Sequence, residues 1–160
     1  MQKIVPNLWF DTQAEAAAQF YVSLFQNSSI RKVTYYGASG AKVSGMPEGS
    51  VLTVEYTLDG QDYLAINGGP VFSFTPAISL MVNCDSQEEV DRLWDAFCQE
   101  GEPGECGWLT DKFGLSWQIV PAELNDLLAG PDPVKAEKMN SAMLTMKKLD
   151  IAQLRRAYDS

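Results

Sequence analysis

From Lys3 to Phe10 the chain alternates, with Ile4, Leu8 and Phe10 on one face of an extended segment and Val5, Asn7 and Trp9 on the other. The period then lengthens. Between Asp11 and about Phe25 the apolar positions recur at helical spacing, which predicts a buried stripe of Ala17, Phe20, Tyr21 and Leu24, and Asp11 or Thr12 is placed to cap the first turn. The same passage from strand to helix returns later, where Ser79-Leu80-Met81-Val82-Asn83 leads into a helical stretch carrying Leu93, Trp94 and Phe97. Leu8 matches Leu80 and Phe10 matches Val82. One strand-helix unit cannot bury its own apolar face, so the repetition predicts two pseudo-symmetric modules that complete a fold together.

The rest of each module follows from turn chemistry. Asn27-Ser28-Ser29 ends the first helix, Ile30 to Tyr36 is β-prone, and the glycine-rich segment from Gly37 to Ser50 reads as a loop. Val51–Leu58 and Gln61–Asn67 alternate on either side of Asp59-Gly60, a strong hairpin signal. The first module is therefore β-α-β-β-β, closed by Gly68-Gly69-Pro70. In the second, Trp108-Leu109 and Leu115 to Val120 flank the turn Thr110 to Gly114, and the module reads as one strand shorter. From Pro121 onward the pattern is helical, with Met139, Met143, Leu144 and Met146 as packing residues. The expected class is α+β: paired βαβββ modules with curled mixed sheets around a cavity, at about 1–70 and 71–120, then a helical extension over 121–160, the whole forming one structural domain. The extension either folds back on its own sheet or holds a second subunit.

Composition narrows the function classes. The 160 residues are 46% apolar, enough for a real core. Twelve basic against twenty-one acidic residues give a net charge of −9 without any basic stripe, so nucleic acid and anionic membrane surfaces are not expected partners. No segment approaches the length of a membrane span, and Met1 to Pro6 has no signal-peptide core, which predicts a cytoplasmic protein. The three cysteines, Cys84, Cys98 and Cys106, lack CxxC spacing and read as reduced structural thiols, with Cys106 the one to probe for reactivity. The chain has no histidine, which removes Cys-His and Ser-His-Asp nucleophile sets.

Several segments, taken in order, resemble the vicinal oxygen chelate superfamily of glyoxalases, bleomycin-resistance proteins and extradiol dioxygenases, and in particular its PhnB-like, demethylubiquinone methyltransferase-like branch. They are Pro6 to Asp11 with Phe20-Tyr21, Leu64 to Pro70, Ile78 to Cys84, Cys106 to Gln118, and Lys147 to Ile151. The resemblance implies paired modules around a cavity and commonly two packed subunits. In the metalloenzymes of that superfamily, strands from both modules supply His and Glu to a divalent ion. Carried over, those positions fall near Ala77, on its pseudo-symmetric partner Val5, on Gln118 and on Asn67. Two apolar side chains and two neutral amides are a poor donor set, so neither a metal nor any other cofactor is expected.

If Leu8, Phe10, Ile78, Leu80 and Val82 pack on helices, alternation turns Val5, Asn7, Trp9, Ala77, Ser79 and Met81 toward the cavity, joined by Tyr63, Ala65, Asn67, Ser116 and Gln118. The candidate ligand-binding residues are thus Asn7, Trp9, Tyr63, Asn67, Ser79, Met81, Ser116 and Gln118. Such a lining, apolar with neutral hydrogen-bonding groups, suits an uncharged or aromatic small molecule. The leading expectation is a metal-free, homodimeric small-molecule-binding protein. The alternative is a metal-independent enzyme using Glu55, Tyr63, Asp111 or Cys106 as a titratable group. A methyl-donor site is not expected, because Gly68-Gly69-Pro70 is followed by Phe72, Phe74 and a strand and not by a helix.

Overall fold

A computed structural model describes residues 2–160. It divides into two compact units, one ending at Phe74 and the other running from Thr75 to Ser160.

In the first unit β1 (Asn7–Phe10), α1 (Ala14–Leu24), β2 (Ser29–Tyr35), α2 (Ala38–Ser44), β3 (Val51–Leu58) and β4 (Gln61–Asn67) form a mixed sheet in the order β1-β4-β3-β2. β1 runs parallel to β4, pairing Leu8 with Ala65 and Phe10 with Asn67, whereas β3 pairs antiparallel with β4 and with β2. The hairpin forms at Asp59-Gly60, both in the left-handed region at φ 47° and 79°, as a two-residue turn matched to strand twist requires. α1 lies on one face through Ala14, Ala17, Ala18 and Tyr21, against Leu8, Phe10, Val54 and Tyr56, all buried. Small alanines let the helix approach closely while the aromatics supply most of the buried area.

Neither Asp11 nor Thr12 caps α1. The cap residue is Gln13, whose side chain makes no capping bond, and the backbone N–H of Ala14 donates instead to Oδ1 of Asn67 at 2.8 Å. The segment expected as a loop contains α2, a seven-residue helix ended by Gly45 at φ 77°.

The second unit repeats the plan. β5 (Ser79–Cys84), α3 (Gln87–Cys98), β6 (Glu102–Pro103), β7 (Trp108–Thr110) and β8 (Ser116–Pro121) give a sheet ordered β5-β8-β7-β6, with β5 and β8 parallel. The strand expected to be missing is β6, cut to two residues at the sheet edge, where the lack of an N–H on Pro103 is tolerated. α3 opens with Ser86 accepting from the Glu89 N–H while the Glu89 carboxylate accepts from the Asp85 N–H, so first-turn donors are satisfied reciprocally. Val90, Leu93, Trp94 and Phe97 are its buried stripe, and Phe97 packs on Trp117 at 4.6 Å between ring centroids.

The extension resolves into α4 (Leu124–Leu128), α5 (Pro133–Met143) and α6 (Ile151–Asp159), capped by Asp132 and Asp150 at the last two. It folds onto its own unit. Leu124, Met139, Met146, Leu149 and Leu154 close a core around Val120 of β8. The backbone N–H groups of Cys106 and Gly107 donate to Met146 and Lys147 carbonyls, and the Gln87 side chain spans Leu149 O and Ile151 N. Met139, Met143 and Met146 pack here, as their spacing predicts, whereas Leu144, expected with them, is exposed. Among the described residues no helix is long and apolar enough to cross a membrane.

Candidate functional site

Cross-strand register decides which side chains share the sheet face opposite α1. In the first unit Asn7 pairs with Leu64 and Leu64 with Glu55, while Trp9 pairs with Ile66 and Ile66 with Thr53. Since successive residues on a strand point to opposite faces, these side chains lie on the open face, and Val54, Tyr56, Ala65 and Asn67 lie against the helix. Tyr63 stacks on Tyr56 at 5.5 Å between ring centroids, on the helix side, and burial pushes its hydroxyl pKa up.

The expectation that Tyr63, Ala65 and Asn67 join Asn7 and Trp9 on one face is therefore corrected. On β4 the open face carries Asp62, Leu64 and Ile66 instead. Asn67 is a structural residue. It is 4% exposed, its Oδ1 receives the Ala14 N–H, its Nδ2 donates to Val51 O at 3.2 Å, and the Tyr36 hydroxyl donates to its carbonyl. Trp9 is on the open face but largely committed, with its indole N–H donating to Gly69 O at 3.0 Å and Phe72 edge-on at 5.0 Å.

A cleft of about 470 Å³ is bordered by Gln2, Val5, Asn7, Arg31, Glu55, Asp62 and Leu64 and also by Tyr56 and Tyr63, so the predicted residues Asn7 and Tyr63 share it although their side chains leave opposite faces of the sheet. Several of its polar groups are spent on structure. The Gln2 amide bonds the backbone of Ile4 and Asp62, and Asp62 holds Arg31 at 2.9 Å and Thr57 at 3.1 Å. Arg31 reaches Asp62 from a register irregularity between Ile30 and Lys32, where β2 departs from regular pairing. Asn7, Glu55 and the Tyr63 hydroxyl remain. Among the described residues none of the three makes a hydrogen bond or ion pair, and Tyr63 makes only its ring contact with Tyr56. The floor between Asn7 and Glu55 is Leu64.

In the second unit the register brings Ser79 beside Ser116 and Met81 beside Gln118, so these four predicted residues do share the face away from α3, with Trp108 and Thr110 of β7 next to them. Gln118 donates to Ser79 Oγ at 2.9 Å, and the Asn125 amide of α4 lies 4.0 Å from Met81 Sδ. Ala77, before β5, is exposed.

Of the titratable candidates, Asp111 is consumed by its turn. It is 3% exposed, with Oδ1 accepting from the N–H groups of Phe113 and Leu115 and Oδ2 from the Trp117 indole. Burial pushes the Cys84 thiol up to about 12 and raises Cys98 as well, so neither is an activated nucleophile. Cys106 sits at φ 57° with its N–H bonded to Met146 O. Glu55 alone among the named candidates combines a place in the cleft with an uncommitted carboxylate.

The positions at which a chelate site would fall do not fit one. Asn67 faces the helix with both amide atoms engaged, Val5 and Ala77 have no donor atoms, and the Gln118 amide is turned to Ser79. Among the described residues no three His, Cys, Asp or Glu side chains group as metal ligands. A nucleotide-type methyl donor does not fit either. The chain beyond Gly68-Gly69 runs without a helix to β5, and the space a Cβ would need at Gly68 is filled by the Trp9 ring, 2.0 Å away.

A family model described as 3-demethylubiquinone-9 3-methyltransferase matches residues 2–120. Among solved structures, a PhnB protein from Bacillus cereus, provisionally described as 3-demethylubiquinone-9 3-methyltransferase, is 37% identical and covers 76% of this chain and 100% of its own, with TM-score 0.68. A Pseudomonas aeruginosa protein at 20% identity covers 76% of this chain and 98% of its own, with TM-score 0.61. The fosfomycin resistance protein FosX from Mesorhizobium loti, at 9% identity and TM-score 0.50, covers 81% of this chain and 100% of its own, and is similar in fold. No curated protein matches the chain. The helices α4 to α6 lie beyond the residues that the family model matches.

Proposed function

This chain belongs to the family described as 3-demethylubiquinone-9 3-methyltransferase, the PhnB-like branch of the vicinal oxygen chelate superfamily, and from that premise we propose that it is a metal-independent small-molecule-binding protein. The observation that carries the reading is the cleft of the first unit, about 470 Å³, within the size range of small-ligand sites, with Leu64 as an apolar floor and the polar groups of Asn7, Glu55 and Tyr63 uncommitted among the described residues. The family description names a methyl transfer, but the donor set for a nucleotide methyl donor and that for a divalent ion both fail on the residues present. Thermal-shift screening of a metabolite library in the presence of a chelator tests the proposal. A ligand at one hundred times its dissociation constant adds about 2.7 kcal/mol to the folded state. No stabilising compound, or stabilisation only after a divalent ion is added, would contradict it.

A second reading, an enzyme without metal, draws on Glu55, whose free carboxylate in the cleft is available as a general base. Glu55→Gln abolishing a turnover found in the screen, with ligand binding retained, would favour it. We also propose a cytoplasmic homodimer. Exposed Ile4, Val71 and Phe72 of the first unit are apolar surface that a second copy would bury, and the extension, already packed on its own unit, is not required for this. Light scattering at micromolar concentration should give twice the chain mass, and a monomer mass would refute the dimer.

A further inference from the structure

The polar groups of the first-unit cleft are arranged in a row. Asn7 on β1, Leu64 on β4, Glu55 on β3 and Lys32 on β2 are successive register partners across all four strands. Adjacent strands are about 4.8 Å apart, so the Asn7 amide and the Glu55 carboxylate start from backbones about 10 Å apart, with a leucine side chain between them. That span is the length of a compact organic molecule.

Charge decides what kind of molecule fits. Arg31 is neutralised by Asp62, leaving Glu55 as the one cleft charge without a partner among the described residues. Lys32, opposite Glu55 in the register and exposed as Glu55 is, does not border the cleft and forms no ion pair with Glu55. An ammonium held there by solvent weakens the carboxylate's field without satisfying its hydrogen-bond capacity.

We propose that this cleft, on the binding reading given above, selects small organic cations: an apolar body lies over Leu64 and Val5, a primary ammonium or guanidinium donates to Glu55, and Asn7 meets the far end. The uncharged ligand expected from the predicted lining is thereby replaced by an amphipathic amine.

The test uses the full-length chain labelled with nitrogen-15, titrated with benzylamine hydrochloride and with benzyl alcohol as the neutral counterpart. Benzylamine should shift the amides of Asn7, Glu55 and Leu64 and bind about fivefold more tightly than benzyl alcohol, the factor expected for one partly solvated charge contact. Glu55→Gln should abolish that preference while leaving the rest of the spectrum unchanged, and Lys32→Gln should strengthen benzylamine binding. Equal affinity of the two compounds at the same amides would overturn the cation preference and leave the cleft as a ligand site. Binding of benzylamine unaffected by Glu55→Gln would overturn it too. Shifts absent from all three amides with both probes would overturn the inference, and the library screen then decides separately whether the cleft binds anything.

Discussion

Removing the Asp111 carboxylate should be among the most costly single changes in the chain, and for a structural reason. Its two oxygens accept the Phe113 N–H at 2.8 Å, the Leu115 N–H at 3.0 Å and the Trp117 indole N–H at 2.9 Å, and the last two of these bonds are buried. In Asp111→Ala, two buried donors lose a charged acceptor, at about 1.5–3 kcal/mol each, and the half-buried Phe113 N–H adds less because water can replace part of its bond. Bonds to one carboxylate are not additive, so about 4 kcal/mol is the working figure. Against a typical domain stability of about 5–15 kcal/mol, that is a large share. Asp111→Asn keeps one acceptor oxygen for the two turn amides but sets an NH₂ against the Trp117 indole, and should cost about half as much. Urea unfolding followed by tryptophan fluorescence measures both. Adding Trp117→Phe closes a double-mutant cycle in which Asp111→Asn loses most of its effect, because the clashing N–H is gone. An Asp111→Ala protein within about 0.5 kcal/mol of wild type, the range of ordinary surface changes, would refute the turn-lock reasoning.

Asn67→Ala removes both the acceptor that caps α1 and the bond to Val51 O, and should lower stability by about 1–2 kcal/mol in the same urea assay, with no change confined to ligand binding. Gly68→Ala forces a methyl into the Trp9 ring, so it should cost about 1–3 kcal/mol and alter the near-UV circular dichroism of the tryptophans. With its thiol pushed up to about 12 by burial, Cys84 should resist a thiol reagent at pH 8 in the folded protein and react once urea exposes it. The sign is that of a group kept neutral. Raising the pH toward that value charges the thiol in the unfolded chain first, so Cys84 contributes a loss of stability that begins above its ordinary pKa of 9.0.

The parts of the fold readable in the sequence are those where one physical signal dominates. The hairpin from Val51 to Asn67 is placed to the residue because Asp59-Gly60 meets the left-handed requirement of a two-residue turn. Ser79, Met81, Ser116 and Gln118 share one face in the register, and the polar Ser79, Ser116 and Gln118, alternating with Leu80, Trp117 and Ile119, give the phase that places Met81 with them. β4 gives no such phase. Tyr63, Leu64, Ala65 and Ile66 are apolar on both faces, so alternation is silent and only the parallel pairing with β1 decides. Asn67 is misplaced for the same reason, as its capping of α1 joins positions 53 residues apart. Arg31 and Asp62 escape a sequence reading because a strand irregularity brings them together, and β6 because two residues carry no periodicity. Glu55 is visible in the sequence as a titratable residue, but its freedom follows only from what its neighbours bind.

The claim at the centre of the account is that the open face of the first unit binds a small molecule without a metal. The most direct measurement is a fragment screen by two-dimensional amide NMR on full-length protein dialysed against a chelator and checked by elemental analysis. The account predicts less than stoichiometric transition metal and fragment-induced shifts clustered at Asn7, Glu55, Asp62 and Leu64. A tightly held metal ion in every chain after dialysis, or fragments that leave those four amides unmoved until a divalent ion is added back, would contradict it.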